Sequence, residues 1–303
     1  MAKNIKSENR RTKFYHTFKN EFFMWILLVP TVISLIIGAW DPILKGMFTS
    51  LFKTRGFSAV EFVGLKNYAN VLSDTMFMAT ISNTFKYVFW SLLFGGIPPI
   101  IIAIIFQEVL HFRKTIRLLT YIPSVAPSLA VSVIWVSIYS SSAGGLLNQL
   151  LALFGANPQV WLENPKLTIP LIMISASWTG IPGTVLLYFA GLQTVNQELY
   201  EAATIDGAGI MRRLRTVTLP HLYPTILLMW VRQIIGIFQI FQEPLIMTDG
   251  GPNNASLSIN LTAYKMAFVY GQVDRSLALS TVVFIILMVI TVFYFKLDKK
   301  INE

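Results

Sequence analysis

Six apolar stretches, each long enough to cross a lipid bilayer as a helix, constrain this chain more than any other feature. They lie at 22–40, 80–106, 116–140, 167–193, 222–247 and 274–296. The hydrocarbon core of a bilayer is about 30 Å thick and takes about 20 helical residues to cross. Inside it, backbone N–H and C=O groups must be satisfied within the chain. The fold class this predicts is all-α, a polytopic membrane protein with six transmembrane helices. Prolines interrupt three of the runs, at Pro98-Pro99, at Pro123 and Pro127, and at Pro182. Breaks are expected there, because proline donates no backbone hydrogen bond. Only 13% of the residues are charged and 54% are hydrophobic, whereas a soluble domain carries about 25% charged residues. Cysteine is absent, which excludes disulfides, thiolate nucleophiles and cysteine-based metal sites.

The distribution of Lys and Arg orients the spans. Of the 24 in the chain, 15 fall in the tail 1–21, the turn 107–117, the segment 194–221 and the carboxyl terminus; 7 fall on the other side, and Lys86 and Arg232 lie within spans. The excess of positive charge marks the cytoplasmic face. Both termini and residues 194–221 are therefore expected inside, on a cell or plasma membrane. The net charge of +9 reflects this asymmetry and membrane lipid as neighbour, with no nucleic acid partner. The domain reading is a cytoplasmic tail 1–21, a first span with its outer loop 22–79, a five-helix core 80–296 containing a cytoplasmic loop 195–220, and a tail 297–303. The first run is expected to stay as a span, since its polar lead is long and no A-x-A-like site follows it.

The stretch "EAATIDGAGIMRRLRTVTLP" (201–220) lies between two spans. Thr194 and Gln197 fit a capping box that starts a helix near Val195. Asp206-Gly207 signals a turn. A second short helix is expected from Ile210 to Val217, and Pro220 fits the start of the next span. From the residues alone, two readings stand: a surface that another protein approaches closely over Ala202 and Ala203, or a basic loop beside anionic lipid.

These residues resemble the EAA loop of ABC-importer permeases, whose pattern is E-A-A, three residues, G, nine residues, I, one residue, L-P. Glu201-Ala202-Ala203, Gly207 and Leu219-Pro220 match it. Val217 stands where Ile is usual, and Gly209 where relatives often have a Ser able to cap the second helix. "FVGLKNYANVL" (62–72), "GGLLNQLLALFG" with "VWLENP" (144–155 and 160–165) and "MTDGGPNNAS" (247–256) resemble segments of the carbohydrate branch, the permeases related to the maltose and glycerol-phosphate systems. The resemblance implies the type I importer permease fold and three partners: a second permease subunit, a cytoplasmic ATPase dimer and an extracytoplasmic solute-binding protein. It implies a coupling helix whose docking residues are Glu201, Ala202, Ala203, Asp206, Gly207, Leu219 and Pro220. It implies a transport subunit that is no enzyme and binds no cofactor or metal, with ATP and Mg on the partner ATPase. Consistently, no Gly-Lys dipeptide of a phosphate-binding loop occurs in the chain. The solute expected is a sugar or oligosaccharide. The alternatives are a non-sugar importer permease and a stand-alone secondary transporter, which needs no EAA spacing.

The fifth run carries misplaced polarity. Arg232, Gly236, Gln239 and Glu243 fall at i, i+4, i+7 and i+11, one face of a continuous helix, with Gln233 and Gln242 beside them. Ionised groups in lipid are costly, so this face should meet protein or water. It reads either as a stripe along the solute path or as an interhelical hydrogen-bond network. Asn83 and Lys86 on the second run are further candidates for the path.

Overall fold

The computed structural model describes residues 24–108, 118 and 121–302. The tail 1–21, with His16, and the turn residues 109–117, with His111, lie outside the described residues. Along the chain come α1 (Met24–Thr49), the hairpin strands β1 (Phe52–Arg55) and β2 (Ser58–Phe62), α2 (Lys66–Leu72) and α3 (Thr75–Gln107). Then follow α4 (Ser128–Ile138), α5 (Leu146–Leu153), α6 (Thr168–Leu192), α7 (Gln197–Ile205) and α8 (Ile210–Phe238). The chain continues through α9 (Gln242–Thr248), α10 (Ile259–Tyr264) and α11 (Val273–Asn302). Among the described residues, five helices are long and apolar enough to cross a membrane: α1, α3, α6, α8 and α11.

The expected third span, 116–140, is not one helix. Residues 121–125 are helical, the chain then breaks, and α4 restarts it over 11 residues. Pro127 causes the break: it sits at φ −57°, ψ 126°, outside helical geometry, and a proline also disfavours helical backbone in the residue before it.

The other prolines behave differently from expectation. Pro182 is buried inside an unbroken α6. Pro98-Pro99 lie in an unbroken α3, just after a π turn at Leu92–Gly96 whose closing bond runs from Ile97 N–H to the Leu92 carbonyl. The wider turn absorbs the mismatch that would otherwise kink the helix.

The small sheet departs from pure α. β1 and β2 pair antiparallel, Phe52 opposite Phe62, with a bulge between Lys53 and Thr54. Side chains tie it down: Asn67 Nδ2 donates to the Ser50 and Phe52 carbonyls at 2.8 and 2.9 Å. The Asp274 N–H donates to Thr54 Oγ1 at 3.2 Å.

α3, α6 and α8 form the centre of the bundle. Ala103, Phe106, Val185, Tyr188, Phe189, Leu192 and Leu222 pack together at the end nearest α7. Tyr87, Tyr139, Ile169, Ile172, Ile237 and Met247 pack at the opposite end. No residue of α1 is buried within this chain, and residues 24–38 are exposed throughout; so apolar a stretch belongs in lipid or against another membrane helix. α11 stays helical through Asn302, so most of the carboxyl-terminal tail prolongs the last span.

Candidate functional site

Two sites emerge, at one end of the bundle and in its middle. The first is the turn between α7 and α8. α7 does not begin with the expected capping box. Asn196 is its N-cap, and its Oδ1 accepts from the Glu198 N–H at 3.0 Å. Thr194 Oγ1 instead donates to the Gly191 carbonyl.

The end of α7 is as expected. Gly207 takes φ +71°, its N–H donates to the Thr204 carbonyl at 3.0 Å, and the Ala208 N–H donates to the Ala203 carbonyl at 2.9 Å. These paired bonds form a Schellman motif, which requires a left-handed residue that glycine supplies cheaply. Among the described residues, its own chain neighbours aside, no atom lies within 4 Å of where a Gly207 Cβ would stand. The requirement is therefore conformational.

The second helix is not short. α8 starts at Ile210 and runs without interruption to Phe238. Pro220 is thus inside a longer helix, just past a π turn at Leu214–Thr218 closed by Leu219 N–H to the Leu214 carbonyl. Gly209, the N-cap, makes no side-chain cap bond.

Two residues without a sequence signal fasten this corner. Tyr200, 9% exposed, shares a 3.0 Å hydrogen bond with Thr218 Oγ1. That bond pins α7 onto α8 next to Leu219-Pro220. The opposite side of the corner is bare. Glu201, Ala202, Asp206 and Gly207 are exposed, Ala203 is half-buried, and Leu199, Ile205, Ile210 and Met211 are 52%, 86%, 59% and 61% exposed. Glu201 makes no ion pair among the described residues. An apolar patch rimmed by polar groups suits contact with another protein or with lipid.

The second site is a cavity of about 790 Å³ between α6, α8 and α9. The expected continuous fifth span is broken here: α8 ends at Phe238 and α9 starts at Gln242. Pro244 lies in the first turn of α9, where its missing N–H costs no intrahelical bond. The carbonyls freed by the break are taken by neighbours. Asn260 Nδ2 donates to the Gln239 carbonyl at 3.0 Å and Ser258 Oγ to the Ile240 carbonyl at 2.7 Å.

Despite the break, Arg232, Gln239, Gln242 and Glu243 all line this cavity. Across it stand Ser177, Gly180 and Gly183 of α6, and added Cβ atoms at both glycines would meet nothing within 4 Å. Phe241 and Ile237 supply apolar wall. Ser177 Oγ and Gln242 Nε2, on two of the lining residues, are buried without a hydrogen-bond partner.

Asn83 and Lys86 are not among the residues lining the cavity. Asn83 is buried, and its Nδ2 donates to the Asn254 and Leu257 carbonyls at 2.8 and 3.3 Å. It holds a loop. Lys86 lies exposed on α3, its Nζ 3.4 Å from Asn83 Oδ1. Ser177 and Gln233 also line the cavity without having been singled out as path residues from the sequence; a lone serine in an apolar run carries no signal.

Residues 100–302 match the family described as binding-protein-dependent transport system inner membrane component. The chain is 30% identical over 276 residues to the arabinooligosaccharides transport system permease protein AraP of Bacillus subtilis, covering 90% of this chain and 88% of that protein. It is also 30% identical to the trehalose/maltose transport system permease protein MalF of Thermococcus litoralis, covering 91% of this chain and 93% of that protein. The fold matches a chain of a bacterial ABC transporter involved in the import of the acidic polysaccharide alginate. The TM-score is 0.85 at 24% identity, over 96% of this chain and 100% of that one.

Proposed function

The chain belongs to the family of binding-protein-dependent transport system inner membrane components, as a multi-pass permease subunit of an ABC importer, and on that premise we propose that its solute is an oligosaccharide. The relatives' names speak for sugars. The observation that carries the assignment to this site is the cavity itself, where amides, a carboxylate and a guanidinium meet apolar and aromatic wall. Saccharides present hydroxyls at their edges and C–H groups on their faces, and such a lining suits both.

In this reading the chain pairs with a second permease, which closes the open side of the cavity. A cytoplasmic ATPase dimer holds ATP and Mg, and this chain performs no chemistry. An extracytoplasmic binding protein delivers the solute. Both termini and the α7–α8 corner face the cytoplasm, following the Lys and Arg count. Glu201, Ala202, Ala203, Asp206 and Gly207 dock on the ATPase, and Leu219-Pro220 seat the corner on α8.

The continuous helix gives the coupling its path. α8 joins the docking corner at Ile210 to Arg232 in the cavity as one rod of about 1.5 Å per residue. The Tyr200–Thr218 bond ties α7 to it. Closure of the ATPase would thus tilt the polar wall of the cavity and open it to the other side. Uptake by the reconstituted complex of labelled arabino- and malto-oligosaccharides, against an amino acid as control, tests the reading. Uptake of the amino acid alone would overturn the sugar assignment.

A further inference from the structure

A second cavity, of about 560 Å³, lies among the ends of α4 and α9 and the residues before α6. The connectivity puts it at the end of the bundle opposite α7, because α6 and α8 each run from one end to the other. Its wall includes Ser137, Ser140, Ser141, Glu163, Thr248 and Gly251.

Two loops form this wall, and both are held rigidly. The Ser140–Ser142 turn is gripped by Asn148, 1% exposed, whose Nδ2 lies 3.3, 3.2 and 3.2 Å from the carbonyls of Ser140, Ser141 and Ser142. Asn148 Oδ1 accepts from the Gln159 N–H and from Trp161 Nε1, each at 2.9 Å. A Cβ on Gly145 would collide with the Ser140 backbone. The facing loop is fixed by Tyr87 OH donating to the Ser256 carbonyl at 2.8 Å and Ser256 Oγ donating to the Gly251 carbonyl at 2.6 Å. Lys265 holds Asp249 through its carboxylate at 3.0 Å and its carbonyl at 2.6 Å. Such preorganisation serves binding, because little freedom is left to lose on contact.

The hydrogen bonds also fix what the cavity offers. Ser137 donates to the Val133 carbonyl, Ser141 to Glu163 Oε1 at 2.9 Å, and Thr248 to Pro244 or Ser256. Ser140 and Ser142 share one hydroxyl–hydroxyl bond of 3.0 Å, which uses only one of their two hydrogens. The hydroxyl hydrogens of Ser137, Ser141 and Thr248 are thus spent, while their lone pairs can still accept. Glu163 is exposed and makes no ion pair among the described residues, Lys166 included. The wall accepts hydrogen bonds, carries one uncompensated carboxylate and has few free donors. A saccharide hydroxyl needs donors as well as acceptors. A guanidinium or ammonium brings donors alone.

We propose that this cavity is a docking socket for a basic side chain, Arg or Lys, projecting from the solute-binding protein, with Glu163 as its counter-charge. The inference rests on the importer reading and its orientation, which place this end outside. Glu163→Gln in the complete complex, with the second permease and the ATPase in nanodiscs, removes the charge and retains an oxygen to accept from Ser141. The affinity of the purified binding protein for the complex is measured at low and high salt. Glu163→Gln should weaken it about fivefold and flatten its salt dependence. Glu163→Arg should weaken it further, and an acidic substitution at the matching basic residue of the binding protein should restore it.

Unchanged affinity and salt slope in Glu163→Gln, with wild type binding normally, would overturn the socket and leave the importer reading intact. Altered solute uptake with unaltered docking would also overturn it, marking the cavity as a solute subsite. If the wild-type complex binds no solute-binding protein at all, the importer reading fails and the socket with it.

Discussion

Gln233 Nε2 donates to the backbone carbonyl of Ser91 at 2.6 Å, reaching from α8 into the π turn of α3. Ser91 precedes that turn directly, and its carbonyl there takes a side-chain donor from another span. Gly95 leaves the room, since a Cβ there would stand 2.6 Å from Gln233 Nε2 and 3.0 Å from Ser177 Oγ. Helix irregularity, interhelical bond and cavity wall meet at one point.

Gly95→Ala should therefore push the Gln233 amide off the Ser91 carbonyl and lower the melting temperature of the detergent-solubilised complex, a loss of about 1 kcal/mol for one interhelical hydrogen bond. Gln233→Ala should cost a similar amount. Because both remove the same bond, the double variant should cost about as much as either single one. Strict additivity of the two would show that Gly95 is not there to admit Gln233.

Gly207 tests the docking corner by backbone conformation. Gly207→Ala should cost about 1 kcal/mol, because the residue sits at φ +71°. Gly207→Asn should cost less, since asparagine tolerates the left-handed region, and Gly207→Pro should disrupt the turn. ATPase retained on purification of each variant should fall in the order Gly, Asn, Ala, Pro. Equal retention across the series would mean that the corner does not dock.

Glu201→Lys addresses charge on the same surface. Glu201 is exposed, so the variant should fold normally and yet lose ATPase in co-purification, more so at low salt. Retention of stoichiometric ATPase with normal uptake would remove Glu201 from the contact.

Asn83 and Gln239 should separate structure from solute path. Asn83→Ala leaves the Asn254 and Leu257 carbonyls short of a donor and should lower stability by about 1–3 kcal/mol without changing solute preference. Gln239→Ala and Glu243→Ala should leave assembly intact and alter solute-stimulated ATP hydrolysis or the solute preference. If those two transport with wild-type kinetics, the cavity is not the path.

Cysteine substitution probes the orientation, helped by the natural absence of cysteine. An impermeant thiol reagent added to intact cells should label Asn253→Cys and spare Gly207→Cys and Ile301→Cys. Labelling at 207 would reverse the topology and with it the docking reading.

What the sequence determined by itself is local or one-dimensional. Apolar length marks a span because the bilayer sets it, and Asp206-Gly207 marks a turn because glycine tolerates φ +71° whatever lies around it. The break before Gln242 is not of this kind: Pro244 opens α9, yet Pro182 and Pro224 stand inside unbroken helices. Only the tertiary structure decided how these pieces meet. Asn83 and Gln239 are both amides in apolar runs, yet one ties down a loop and the other lines a cavity. Pro127 interrupts its run while Pro98, Pro99 and Pro182 do not interrupt theirs, because a π turn in α3 and close packing around α6 hold those helices together. Tyr200 and Thr218, or Gly95, Ser177 and Gln233, carry no joint signal, since their partnership exists only once separate helices are packed. Hydropathy and turn chemistry act residue by residue; convergence depends on the packed arrangement of helices, which no stretch of the sequence contains alone.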